Sequence, residues 1–196
     1  MKDSGQKTPR ISKEPEVRRQ EILDTAMNVF MEKGYEAAAM RDIAAAMHVV
    51  PGLCYRYFPS KQALYEAALD AYVGEITAPM ISLMEEEADS LEAFLEKLSG
   101  QFIRIDGRER YHGFFHKSEN HDLQMILSVR VCEALEPYVE AVLGRMAGRG
   151  LVHIPDVSLA APYMLFGAIP IIECDGRPSK DKAEAIRHMM ERILQP

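Results

Sequence analysis

Three groups of side chains in this 196-residue chain are spaced so that they could do chemistry. The first lies in Pro51-Gly52-Leu53-Cys54-Tyr55-Arg56-Tyr57, with Lys61 close behind. An arginine fork can bond O6 and N7 of a guanine, and a lysine beside the free amides of a helix start suits a phosphate. The second group is His112, His116 and His121. The first two are four apart, so on a helix they share a face and could hold a transition metal with help from Glu119, His121 or Asp122; hydrogen-bonded or solvated histidines are the alternative. The third is Arg130, whose helical neighbours Leu127 and Ala134 are apolar. A cation buried there requires a partner, either Glu133 or Glu173 or the anionic group of a ligand. The cysteines, Cys54, Cys132 and Cys174, lie far apart with no CxxC spacing, which fits a reducing compartment and neither a disulfide framework nor a zinc site. No nucleophile-base-orienter arrangement, glycine-rich phosphate loop or HExxH motif is present, so we expect no enzyme, no cofactor and no resident metal.

The elements that must position these groups read as helices almost throughout, because apolar residues recur at helical spacing and no alternating strand pattern is bounded by hairpin turns. An all-α fold is expected. Leu23, Ala26, Met27 and Phe30 predict a helix over 16–33 that Gly34 ends in the left-handed conformation. Met40, Ile43, Ala44 and Met47 predict a second, and Pro51, suited to a first helical position, opens a third that ends near Tyr57. Ser60 caps a fourth helix that runs to about Thr77 before Pro79. Further helices are expected near 80–88, 90–105, 122–147, 156–172 and 180–194. Two short helices joined by a tight turn at His48-Val49-Val50, braced by a longer one, have the layout of a helix-turn-helix, whose second helix must be slim enough to enter a major groove.

Along 17–72 the chain resembles the TetR family of bacterial regulators, through Ile22-Leu23, Ala26, Phe30, Gly34-Tyr35, Ile43-Ala44, Val49, Gly52, Tyr55, Phe58, Ser60-Lys61 and Leu64. The resemblance implies an all-helical homodimer with an N-terminal three-helix DNA-binding domain. Its C-terminal helices would bind a small effector, and the last two would form an intersubunit four-helix bundle. It places Pro51, Gly52, Leu53 and Arg56 toward the groove and Tyr55, Tyr57 and Lys61 toward phosphates, while Arg41 and Arg18-Arg19 could add phosphate contacts. Three features depart from the family pattern: His48 stands at a glycine position, Val50 replaces a Ser or Thr cap, and Ala38-Ala39 replace threonines. A regulator acting on double-stranded operator DNA is the expected function. A metal-responsive regulator using His112, His116 and His121, and a helical interaction protein without DNA binding, are the alternatives.

Charge agrees with a two-part chain. Residues 1–61 hold ten Lys and Arg against eight Asp and Glu, whereas the remainder is strongly acidic and the whole carries −7. The expected organisation is a flexible basic tail at 1–14, a DNA-binding domain at 15–61, a linking helix at about 61–77, and an effector-binding and dimerisation domain at 78–196. For a mainly apolar effector the expected contacts are Phe94, Phe102, Phe115 and His116, with Met125, Arg130, Tyr163 and Phe166. Ala183, Ile186, Met190 and Ile193 form an apolar seam, and Val157 to Ile172 reads as a buried helix; with Leu159, Tyr163 and Phe166 these are the expected dimer interface. No secretory leader and no membrane span are legible, so a cytoplasmic location without membrane partners is expected.

Overall fold

The computed structural model describes residues 14–105, 110–115, 121–174 and 176–194, with the side chains of Ile105 and His121 outside the described set. Among the described residues there are helices and no strand: α1 (Pro15–Lys33), α2 (Met40–Ala46), α3 (Pro51–Tyr57), α4 (Lys61–Glu85), α5 (Leu91–Ile105), α6 (His112–Phe115), α7 (His121–Gly148), α8 (Val157–Ile172) and α9 (Ser179–Leu194). They form two compact units, one ending at Ala68 and the other beginning at Leu69, so that α4 contributes residues to both. The expected boundary, a domain closing at Lys61, falls about two turns of α4 earlier.

In the first unit α1 buries Ile22, Leu23, Ala26, Met27, Val29 and Phe30, and α2 lays Met40, Ile43 and Ala44 against the same core. Removing each such side chain from water contributes on the order of 1.5–3 kcal/mol, which lets helices as short as α2 and α3 persist. Gly34 ends α1 at φ 80°, but with ψ 150° rather than in the expected left-handed helical region, and its N–H donates to the Phe30 carbonyl at 2.9 Å. That backbone conformation is open essentially to glycine alone. The loop that follows is pinned by aromatic edges: Tyr35 lies 5.3 Å from Phe30 and 5.0 Å from Tyr65 between ring centroids. Burial raises the Tyr35 phenol above its usual pKa and pushes Tyr65 up to about 12, with Glu66 adding to both.

The second unit is built on α4 to α9. The expected break of α4 before Pro79 does not occur: the helix runs through Pro79 to Glu85 and absorbs the helix expected at 80–88. Proline removes the bond its own N–H would give, yet the burial of Met80 and Met84 on the following turns outweighs that single loss. Arg145 donates to the Met84 carbonyl and Arg149 to that of Ala88 at 2.7 Å, so the last turn of α7 and the residue after it satisfy carbonyls at and just beyond the end of α4. Ser90 caps α5 by accepting from Ala93 N–H, and Asp156 caps α8 by accepting from Ser158 and Leu159 N–H. The short α6, absent from the sequence expectation, buries Phe114 and Phe115, and Phe115 stacks on Tyr72 at 4.8 Å with an interplanar angle of 6°. The helix α8 is not buried all round: Leu159 is 69% and Tyr163 71% exposed.

Candidate functional site

The turn between α2 and α3 explains how three departures from a helix-turn-helix pattern are tolerated. His48 does adopt positive φ, 55°, immediately after the C-cap Met47. Val49 N–H then reaches back to the Ala44 carbonyl at 2.9 Å and His48 N–H to Ala45 at 3.0 Å, the paired bonds of a Schellman closure. At the start of α2, Ala39 has no side-chain acceptor, but the Asp42 carboxylate accepts from the Ala39 N–H at 2.9 Å and pairs with Lys33 at 3.1 Å. These two donors, the backbone amide first, hold the Asp42 carboxyl below the usual carboxylate range. Val50 is the N-cap of α3 and supplies no side-chain bond, so α3 begins on the Leu53 N–H to Val50 carbonyl bond at 2.9 Å and on the fixed φ of Pro51.

Burial then sorts the residues of α3 by face. Cys54 is fully buried, and Phe58 just beyond is 3% exposed; both anchor the helix to its unit. Pro51, Gly52, Tyr55 and Arg56 are exposed, and Leu53 and Tyr57 are partly so. Positions 52, 55 and 56 share one helical face, opposite the anchor. A Cβ built on Gly52 would meet nothing within 4 Å, so packing inside the chain does not require a glycine there. Arg41 is likewise exposed on α2.

Three of the expected cations are already engaged. The Lys61 ammonium donates to the carbonyls of Tyr35 at 2.7 Å and Glu36 at 3.2 Å and lies 4.3 Å from the Tyr35 ring centre. Lys61 therefore fastens the α1–α2 loop to the start of α4, and the mobile cation anticipated from sequence is corrected to a tethered one. Arg19 stacks on the Phe58 ring at 5.0 Å, and Arg18 pairs with Glu21 at 2.9 Å. Arg19 is thus a structural neighbour of the α3 anchor, and Arg18 is paired within α1.

The second unit encloses a cavity of about 560 Å³. Its apolar walls come from five helices: Met80 and Met84 of α4, Phe94, Leu98 and Phe102 of α5, Val131, Leu135 and Val139 of α7, Met164 and Ile169 of α8, and Ile186 and Met190 of α9. The α5 residues recur every four positions, which turns one stripe of that helix into a wall. Polar groups reach the cavity at Ser99, His112, Gln124, Ser128, Glu173, Lys182 and Arg187.

Of the expected effector contacts, Phe94 and Phe102 line this cavity. Phe115 does not, because it is spent in the stack on Tyr72. Met125 and Arg130 are exposed on α7, bordering a shallow surface depression, so Arg130 is not the buried cation the sequence suggested. Its flanking Met125, Ile126 and Val129 are exposed too, which makes that stripe of α7 an outer surface despite its apolar composition. Tyr163 projects outward and Phe166 is partly buried without lining the cavity. His116 lies outside the described residues, as does the side chain of His121; of the three histidines, His112 is the one placed, on the cavity wall.

The expected dimer seam is also divided. Ala183 is buried, and Ile186 and Met190 face the cavity, because α9 packs its apolar stripe on α5. The outward apolar residues of α9 are Ile193, 45% exposed, and Met189, which the sequence reading passed over. On α8, Leu159 and Tyr163 are exposed one turn apart. Cysteine chemistry is unfavourable: burial raises the Cys54 thiol, and Cys132, on the cavity wall, is pushed up to about 11 by burial and by Glu133 and Glu136.

A family model described as bacterial regulatory proteins, tetR family, matches residues 22–68. The HTH-type transcriptional repressor DhaR of Mycobacterium sp. (strain GP1) is 30% identical over 91 residues, 42% of this chain and 46% of the repressor. The match thus spans just under half of that curated relative. Among solved structures, GusR of Salmonella enterica superposes with a TM-score of 0.65 at 20% identity, covering 94% of this chain and 99% of GusR. AibR, solved in complex with isovaleryl coenzyme A and operator DNA, gives a TM-score of 0.58 at 20% identity, covering 88% and 97% of the two chains. At these identities the structural likeness speaks for the fold.

Proposed function

We propose that the chain is a member of the TetR family of bacterial regulatory proteins, that it binds operator DNA as a homodimer, and that it releases the DNA when a small, mainly apolar effector fills the cavity of the second unit. The observation that carries this reading is α3: a two-turn helix whose Cys54 side is anchored and whose Gly52, Tyr55 and Arg56 side faces outward. Arg56 reads a base or lies along the backbone, Gly52 lets the helix approach closely, and Tyr55, Tyr57 and Arg41 contact phosphates. Lys61 contributes through the loop it holds, and through whichever donor that loop leaves free.

A dimer is supported by the exposed Leu159 and Tyr163 of α8, to which Met189 and Ile193 of α9 are added as interface candidates. Two copies of α3 would then enter successive major grooves about 34–36 Å apart on a pseudo-palindromic site. The effector acts by preferring the conformation that fits DNA poorly, since a ligand indifferent to the two states shifts nothing. No described helix is long and apolar enough to cross a membrane.

Selection of binding sites from a random duplex library, followed by titration of the enriched duplex, tests the reading. An inverted repeat should emerge, and Arg56→Ala should weaken binding by about 1–3 kcal/mol and relax sequence preference at one position per half-site. Failure to enrich any sequence, or an Arg56→Ala variant that matches the parent in affinity and preference, overturns it.

A further inference from the structure

The cavity has one feature that an apolar effector alone does not explain. Glu173 is the C-cap residue of α8, and its carboxylate is on the cavity wall. One oxygen, Oε1, accepts from the Ser128 hydroxyl; the other, Oε2, is buried with no hydrogen-bond partner among the described residues. A buried carboxylate oxygen left unsatisfied is costly, and this one also stands at the negative end of a helix, where an anion is disfavoured. The two cations on the same wall do not answer it. Lys182 donates to the Ile172 carbonyl at 2.6 Å, and Arg187 pairs with Glu191 at 2.7 Å. A carboxylate on a cavity-lining residue, with one oxygen unsatisfied and with Phe94, Leu98, Val131 and Ile169 on the same wall, is the arrangement that a cationic donor would complete once the carboxylate turns toward the hollow.

We propose that the effector is an amphiphile with an apolar body and a single ammonium head, and that Glu173 Oε2 is the acceptor that seats the head. Resting as it does on the reading of this cavity as the effector site, the inference assigns that site a head-group specificity. Ser128 is a positioning residue: by holding Oε1 it aims Oε2 at the ligand.

The test is direct calorimetric titration of the full chain, without DNA, with three ten-carbon probes below their micelle concentrations: decylammonium, 1-decanol and decanoate. Decylammonium should bind best, about tenfold or more tighter than decanoate, because a charge-assisted bond to a desolvated carboxylate is gained in one case and a like-charge clash in the other. In Glu173→Gln the preference should shrink to within about threefold while decanol binding stays near the parent value. Decanoate binding as tightly as decylammonium, no binding by any of the three, or a preference that survives in Glu173→Gln overturns the proposal. If Glu173→Gln does not fold, Ser128→Ala keeps the carboxylate but no longer holds its aim, so the decylammonium preference should shrink while decanol binding stays near the parent value; an unchanged preference there also overturns it. Since no DNA is present, a failure here leaves the operator-binding reading intact, and a failure of operator selection leaves the head-group measurement intact.

Discussion

Replacing Gly52 with alanine separates what the fold needs from what the site needs. Glycine within a helix costs roughly 0.5–1 kcal/mol relative to alanine through chain entropy. At Gly52 the added methyl meets nothing within 4 Å, so no packing penalty offsets the gain. Its place in the first turn of α3 puts the expected stabilisation at the lower end, about 0.5 kcal/mol, a rise in Tm of one or two degrees by thermal unfolding. Binding to the selected operator should move the other way. A methyl on the exposed face holds α3 away from the groove floor and loosens the Arg56 contact, at a cost of about 1–3 kcal/mol, or roughly 5- to 150-fold in Kd. Fluorescence anisotropy at fixed salt reads this directly, because a lost base contact leaves the salt dependence nearly unchanged. A Gly52→Ala variant that is less stable than the parent would refute the packing argument. One that binds operator as well as the parent would refute the placement of α3 against DNA.

Other perturbations probe the remaining parts. Leu159→Asp removes an apolar side chain that each of two symmetric partners would bury; at about 1.5–3 kcal/mol per copy the dimer should weaken by at least a hundredfold in sedimentation at micromolar concentration, and an unchanged dimer would place the interface elsewhere. Val50→Thr supplies the missing α3 cap and should add about 1 kcal/mol in urea unfolding; no change would mean that the Val50 backbone, already in an extended conformation, leaves the cap amides out of reach. Gly34→Ala forces a Cβ onto φ 80° and ψ 150° and should cost about 1–3 kcal/mol. Asp42 has a depressed carboxyl, so its stabilisation is complete above the unfolded pKa and is lost as pH falls through the lower folded one; Asp42→Asn should flatten that acid limb of the stability curve.

How much was legible in advance follows from which forces were local. Helix α1, the α2–α3 pair and Gly34 could be read because apolar spacing, a proline at a helix start and a glycine after the last turn act over a few residues. The residues expected to face a groove came from the motif; the structure adds that Pro51, Gly52, Tyr55 and Arg56 are exposed. Periodicity says that a helix has an apolar face but not what that face meets. Thus Ala183, Ile186 and Met190 looked like an intersubunit seam, yet they turn toward α5 and the cavity, while Leu127, Met125 and Val129 share one helix and only Leu127 is buried. Lys61 was misjudged for a related reason, since its partners, the carbonyls of Tyr35 and Glu36, are 25 and 26 residues away and carry no side-chain signature. The pairing of Ser128 with Glu173, 45 residues apart, had no signal short of the fold itself.

Pro79 leaves a rung missing from the hydrogen-bond ladder of α4, since it has no N–H to offer the carbonyl of Glu75. The cavity residues Ile76, Met80 and Met84 sit on the turns around that gap. A guest swelling the hollow would thus push on the stretch of α4 that its own backbone resists least, and flexing there breaks no bond. Thr77, two residues before Pro79, donates its hydroxyl to the Val73 carbonyl, a back-bond of the sort that bends helices. The helix shared by both units thus lacks one backbone bond beside the space where a guest would sit.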